Sequence, residues 1–240
     1  MKRSLSLIAV AAMAGTAFAQ EQNLFNGKDL SNWEGNTALW SVKDGVIHGE
    51  TKADEANPKK SSLRHNTFLV WKGGTPGDFE LKLQFRITSE SGNSGIQYRS
   101  KLENEGPDGP IVSGYQADFE AGKTYSGILY EERGRGILAK RGEQVLVKPD
   151  PADASKVVKE VTGSVGDSQT IQDGIKITEW NEYRVIAHGN RLEHFINGMK
   201  TIDVTDVHEK GAKQGVLALQ MHAGPPMTVE FKDIKLTEIK

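Results

Sequence analysis

The sequence predicts an all-β sandwich or jelly roll, and three observations carry that prediction. Two-residue turn signals recur between short apolar runs, one run alternates apolar and polar side chains over nine residues, and helical 3.6-residue periodicity is almost absent. The 26 glycines and the 37% hydrophobic content agree with a turn-rich β protein better than with a helical one.

Taken in order, Asp44-Gly45 lies between 40–43 and 46–48 and predicts a hairpin. Such a turn needs positive φ, which Gly and Asx residues accept at low cost. Over 79–87, Phe79, Leu81, Leu83, Phe85 and Ile87 share one face and Glu80, Lys82, Gln84 and Arg86 the other, the pattern of a half-buried strand. Gly189-Asn190 and Asn197-Gly198 join 183–187, 191–196 and 199–204 into a three-stranded meander. Further strands are predicted over 94–99, 115–120, 127–132, 144–147, 215–222 and 228–236. The polar stretch 149–178 reads as a long surface excursion with a short helix over 152–161. No internal repeat or second core is evident, so 20–240 is expected to form a single domain.

Residues 1–19 read as a cleaved export leader. Lys2 and Arg3 form a basic start, an apolar run follows, and Ala17-Phe18-Ala19 is an A-x-A cleavage pattern. The expected location is therefore periplasmic or extracellular. The run is shorter than the roughly 20 residues a bilayer span needs, so no membrane span is expected. With no cysteine, neither disulfides nor a lipidated cysteine are available. With Lys2 and Arg3 removed from the 30 basic residues, 28 face 32 acidic ones, a net charge of −4. That mixed surface argues against nucleic acid as a partner.

Chemistry enters through parity. In 96–99, Ile96 and Tyr98 alternate with Gln97 and Arg99; in 115–120, Tyr115, Ala117 and Phe119 alternate with Gln116, Asp118 and Glu120. In 217–222, Leu217, Leu219 and Met221 are apolar while Gln220 and His222 fall on the other side. Successive strand residues point to opposite faces, so each strand offers a buried row and a polar row. The polar rows hold planar and forked groups suited to bonding hydroxyls rather than the Lys, Glu and Thr of a solvated face. On neighbouring strands they would make the floor of a groove; on strands that never meet they are scattered surface residues.

The segments Asn93 to Arg99 (NSGIQYR), Gly114 to Phe119 (GYQADF), Gly127 to Glu132 (GILYEE), Trp180 to Arg184 (WNEYR) and Leu219 to Met227 (LQMHAGPPM), after an opening Leu24 to Leu30 (LFNGKDL) and Trp33, occur in one order. In that order they resemble the 3-keto-disaccharide hydrolase family over nearly all of 20–240. The resemblance implies a concanavalin A-like jelly-roll sandwich of two antiparallel sheets with a sugar-receiving concave face. It also implies cleavage of glycosides already oxidised to a ketone at C3, a substrate that a separate oxidoreductase must supply. The ketone acidifies the C2 hydrogen, so a base near C2, an acid at the leaving oxygen and either donors or a metal on the C3 oxygen are needed.

On this reading Asp118, His222 and Glu132 are the candidate catalytic groups. Asp118 is the first choice for acid or base, with a salt bridge to Arg99 as its alternative. Some branches of the family place the acid at the position of Gln116, which leaves the identity of the base open. His222 is a proton shuttle or a turn-stabilising hydrogen bonder. Glu132 is a second acid or a charged strand end. Gln97, Arg99, Gln116 and Gln220 are candidate substrate binders, with Arg135 reaching in from its loop and Trp71 as an exposed stacking surface. Trp180 is expected in the core. The residues establish no cofactor; Asp118, Glu132 and His222 together offer donors to a divalent metal, while the other five histidines lack metal-ligand spacing. The competing reading is a non-catalytic carbohydrate-binding module on the same sandwich.

Overall fold

The computed structural model describes residues 20–240; the predicted leader at 1–19 lies outside the described residues. The first half of the chain forms β1 (Glu21–Asn23), β2 (Trp33–Glu34), β3 (Trp40–Lys43), β4 (Val46–Glu50), β5 (Thr67–Trp71), β6 (Phe79–Ile87), β7 (Asn93–Gly106) and β8 (Gly109–Glu120). The second half adds β9 (Leu129–Glu132), β10 (Gly136–Ala139), β11 (Glu143–Pro149), β12 (Val157–Ser164), α1 (Ser168–Asp173), β13 (Asn181–His188), β14 (Arg191–Ile196), β15 (Met199–Asp206), β16 (Val216–Met221) and β17 (Thr228–Glu238).

Two sheets result. One runs β12-β11-β15-β14-β13-β6-β17-β4-β3, with β1 added against β17; the other runs β10-β9-β8-β7-β16-β5-β2. Pairing is antiparallel throughout except for β11 and β15, which run parallel from Gln144 opposite Asp203. β11 arrives from the other sheet, so no hairpin dictates its direction.

Each predicted strand overlaps an observed one. The alternation over 79–87 appears as alternating burial along β6. Asp44 and Gly45 have φ of 49° and 77°, and Asn197 and Gly198 of 49° and 79°, as two-residue hairpin turns require. The inner faces pack a shared aromatic core in which the Phe85 and Phe119 rings, one from each sheet, lie 4.1 Å apart. The rows assigned to the core, Ile96 and Tyr98, Tyr115, Ala117 and Phe119, and Leu217, Leu219 and Met221, all lie there.

Two expectations are corrected. Residues 152–161 are not helical: Val157, Val158 and Val161 open β12, which pairs with β11 at the sheet edge. β-branched side chains fit a pleated edge better than a helix. The helix of the excursion comes later, at α1, where the Asp167 side chain accepts from the Thr170 amide and caps it. Trp180, expected in the core, lies half-buried on the outer face beneath Arg86 and Lys232, whose charges sit 4.5 and 4.2 Å from its ring.

Candidate active site

The outer face of the seven-stranded sheet carries the polar rows, and register decides which side chains meet. Gln97 lies opposite Gln116, and Gln116 opposite Tyr130, which in turn lies opposite Ile137. One row therefore crosses four strands from amide to phenol to aliphatic. Two residues further along, Asp118 pairs with Gly95.

Gly95 explains how the amides connect. A Cβ there would stand 2.5 Å from Gln116 Cγ, so only glycine lets the Gln116 side chain lie across β7. Its Oε1 accepts from Gln97 Nε2 at 2.6 Å and from Gln220 Nε2 at 2.8 Å, linking three strands. The Ser100 hydroxyl donates to Gln97 Oε1 at 2.8 Å, and Gln220 Nε2 also reaches Glu132 Oε2 at 3.2 Å. Gln97, Gln116 and Gln220 are all buried. Their hydrogen-bonding capacity is spent largely on one another, so they form a rigid floor.

Above this floor lies a cavity of about 670 Å³, lined among others by Asp118, Glu132, His222, Gln116, Gln220 and Tyr130. Asp118 is buried and accepts from Asn93 Nδ2 at 2.7 Å. Burial pushes its carboxyl well above the usual carboxylate range, and the Asn93 hydrogen bond only partly opposes this. Glu132 is raised by the same cause, against the pull of Asn66, Arg133 and Gln220. His222 is half-buried, and burial lowers its imidazole below the ordinary histidine value. Its Nδ1 is enclosed without a partner, packed near Gly224, and among the described residues neither ring nitrogen is hydrogen-bonded. Three titratable groups thus share one hollow, each held toward its neutral form.

Four assigned binders do not line the cavity. Arg99 has φ of 45° within a register shift between Tyr98 and Lys101, and this bulge turns it off the polar row. Its guanidinium instead donates to Gly77 O, Gly189 O and Asp78 Oδ1 at 2.7–2.8 Å, a clamp on two loops, so the alternative pairing with Asp118 does not form either. Arg135 does not reach into the cavity; it is buried between Glu131 and Asp206, with 2.7 Å contacts to each. Trp71 is 4% exposed and packs over Gly73 on the core side, not on a sugar-facing surface. Gln97 donates to Gln116 from the neighbouring strand and is not among the cavity-lining residues. For a metal, the fit is poor: among the described residues no three His, Asp or Glu side chains cluster at ligand spacing, Asp118, Glu132 and His222 included.

Sequence reasoning missed Asn93, which anchors Asp118, and Asn66, whose Nδ2 holds Glu132 while its Oδ1 accepts from the Ala223 amide at 2.9 Å. It also missed Tyr130. Parity along 127–132 places Tyr130 on the row of Glu132, a signal that was there to use. Asn66 precedes a strand that no turn or alternation announced.

Residues 20–237 match the model of the 3-keto-alpha-glucoside-1,2-lyase-like domain. No curated protein matches the chain. Among solved structures, the fold is similar to a proposed glycosyl hydrolase from Parabacteroides distasonis at 20% identity, covering 92% of this chain and 94% of that one, with a TM-score of 0.54. It is also similar to a galectin-like protein of unknown function from Bacillus subtilis, at 11% identity, 91% and 94% coverage and a TM-score of 0.55. The carbohydrate-binding module CBM66 from Bacillus subtilis follows, at 12% identity, 86% and 96% coverage and a TM-score of 0.52. These likenesses establish the sandwich fold.

Proposed function

Because the chain belongs to the 3-keto-alpha-glucoside-1,2-lyase-like family, we propose that it cleaves glycosides of 3-keto sugars in the cavity above the amide floor. The observation that carries this reading is the meeting of Asp118, Glu132 and His222 in one hollow, with burial acting oppositely on carboxyl and imidazole proton affinity. Environments that push a carboxyl up and an imidazole down favour the neutral form of each, which suits the carboxyl to give a proton and the imidazole to take one. His222 then takes the C2 proton of the substrate. The electron pair passes into the C3 carbonyl as an enolate and returns to form the C1–C2 double bond as the C1–O bond breaks. Asp118 supplies the proton that lets the leaving oxygen depart as an alcohol. Water adds across the enone afterwards, its oxygen to C1 and a proton to C2, giving the free 3-keto sugar with no net redox change. Glu132, held by Asn66 and Gln220, binds hydroxyls of the keto sugar.

This route differs from standard glycoside hydrolysis, which needs two carboxyls at a fixed separation across an oxocarbenium-like centre. It also requires a separate oxidation at C3 upstream. On the leader reading of 1–19, this reaction would take place outside the cytoplasm.

The test is a direct comparison of a 3-keto-disaccharide with its unoxidised parent. Turnover of the keto form alone is expected, with C2 hydrogen exchange in D₂O. Equal turnover of both overturns the elimination route, and saturable binding with no product makes the chain a carbohydrate-binding sandwich instead.

A further inference from the structure

The cavity lining joins two chemistries. Asp118, Glu132, His222, Gln116 and Gln220 are polar, while Tyr125, Ile128, Tyr130, Ile137 and Ala121 are aromatic or aliphatic, and register carries the row outward from Gln116 to Tyr130 and then Ile137. Register places Tyr130 beside Ile137 on the same face, so these two side chains adjoin rather than standing singly. Tyr125 lines the same cavity and is 43% exposed.

A lone exposed aromatic residue on a loop is ordinary and carries nothing. This one is held rigidly. Glu120 Oε1 accepts from the Thr124 and Tyr125 amides at 2.6 and 2.9 Å. From the other side the Arg141 guanidinium donates to Lys123 O at 2.9 Å and to Ser126 O at 2.7 Å. A carboxylate on the amides and a guanidinium on the carbonyls fix the segment at both poles of its backbone, so the ring is presented and not merely left outside. Charge adds a second constraint. Glu90, Asp118, Glu120 and Glu132 line the cavity, and no Lys or Arg does among the described residues. An anionic group entering here would meet carboxyls and no counter-charge.

We propose that the wall of Tyr125, Tyr130 and Ile137 is an aglycone subsite that takes a flat, apolar, uncharged group, so that aryl-bearing glycosides are favoured over disaccharides and anionic aglycones are rejected. This rests on the keto-glycoside reading for which part of the cavity holds the sugar. The amide floor and the titratable groups engage the keto sugar, while the departing group lies against the aromatic wall, where a ring face can stack on Tyr125.

The experiment compares the 3-keto-glucosides of 2-phenylethanol, of glucose and of glucuronic acid, in one anomeric form. These alcohols are similar as leaving groups, so the comparison reports recognition and not bond strength. The phenylethyl compound is expected to have kcat/KM about tenfold above the glucosyl one, and the glucuronosyl compound to fall below both. In Tyr125→Ala the phenylethyl-to-glucosyl ratio should drop toward one, and in Tyr125→Phe, which keeps the ring, it should persist. A wild-type ratio at or below one, a ratio that survives Tyr125→Ala, or a glucuronosyl compound turned over as fast as the glucosyl one overturns the proposal. Titration calorimetry with unoxidised 2-phenylethyl glucoside separates the two readings if no keto-glycoside is turned over. Binding weakened by Tyr125→Ala and kept by Tyr125→Phe sustains the aryl subsite while the reaction fails; absence of binding overturns the subsite as well.

Discussion

Asn66 Nδ2 donates to both carboxylate oxygens of Glu132 at 3.3 Å, although β8, β7 and β16 separate the strand that Asn66 precedes from β9. Four interstrand steps would place them about 19 Å apart in a flat sheet. The sheet must therefore curl strongly enough for its flanks to meet across the hollow. Because Asn66 also holds the Ala223 amide, one side chain ties the Glu132 strand to the segment carrying His222.

Removing that tie should loosen two catalytic elements together. Asn66→Ala is expected to lower kcat/KM roughly 10- to 100-fold, the scale of an ångström-level misplacement. Much of the loss should appear in KM if Glu132 binds sugar hydroxyls. Asn66→Asp should be worse, because it sets a second carboxyl against Glu132. Steady-state kinetics of both variants, with circular dichroism to confirm folding, checks this; Asn66→Ala with unchanged kinetics removes Glu132 from the site.

Asp118 as the acid makes a prediction about leaving groups. Asp118→Asn should lose about 10²- to 10⁴-fold in kcat on an alkyl 3-keto-glycoside. It should lose far less on a nitrophenyl one, whose oxygen departs without a proton. Equal losses on both would instead make Asp118 the base. His222→Gln, by contrast, should abolish deuterium exchange at C2 for every leaving group.

The pH profile follows from the same assignments. Activity falls on the acid side as His222 becomes protonated, and burial puts that limb below the ordinary histidine value. It falls on the alkaline side as Asp118 loses its proton, and burial puts that limb well above the ordinary aspartate value. The expected kcat/KM profile is a bell whose alkaline limb disappears in Asp118→Asn on the nitrophenyl substrate. An acid limb that persists unchanged in a residually active His222→Gln enzyme would assign it to another group.

Local rules made much of this architecture legible. Period-two burial and Asn-Gly or Asp-Gly turns act within a few residues, so β6, the β3-β4 hairpin and the β13-β14-β15 meander could be read directly. Parity gave Gln97, Gln116, Asp118 and Gln220 their common face for the same reason. It failed at Arg99 because one bulge inverts every side chain after it, and nothing in Tyr98-Arg99-Ser100 announces a bulge. Trp71 was misplaced because glycines after an aromatic residue read as an exposed loop, whereas Gly73 provides the space the indole fills. Asn66 was invisible because its role depends on sheet curl, a property of seven strands at once.

Gly95 offers a test of the floor that leaves every hydrogen-bonding group in place. In Gly95→Ala the new methyl would press on Gln116 Cγ and swing its amide off Gln220. A buried donor and acceptor would lose their partners, at about 1–3 kcal/mol for each group left unsatisfied. The melting temperature should fall, and Gln220 should lose its hold on Glu132. A crystal structure of the variant with the Gln116–Gln220 hydrogen bond intact would contradict this account of the glycine.

Arg135 should matter for stability and not for catalysis. Its guanidinium is buried between Glu131 and Asp206, and Tyr115 donates to the same Asp206 at 2.5 Å. Burial opposes its charge, but the two carboxylates more than offset this and hold it firmly protonated. Arg135→Met leaves both carboxylates without their counter-charge, and breaking a buried pair from one side costs about 3–5 kcal/mol. For a chain of this size that corresponds to roughly a 10 °C fall in melting temperature. Pairing it with Asp206→Asn should recover part of the loss, because the stranded charge is removed. Activity per folded molecule at 25 °C should stay near wild type, since Arg135 does not line the cavity that holds Asp118, Glu132 and His222. A kcat collapse in a variant that still melts cooperatively would return Arg135 to the active site.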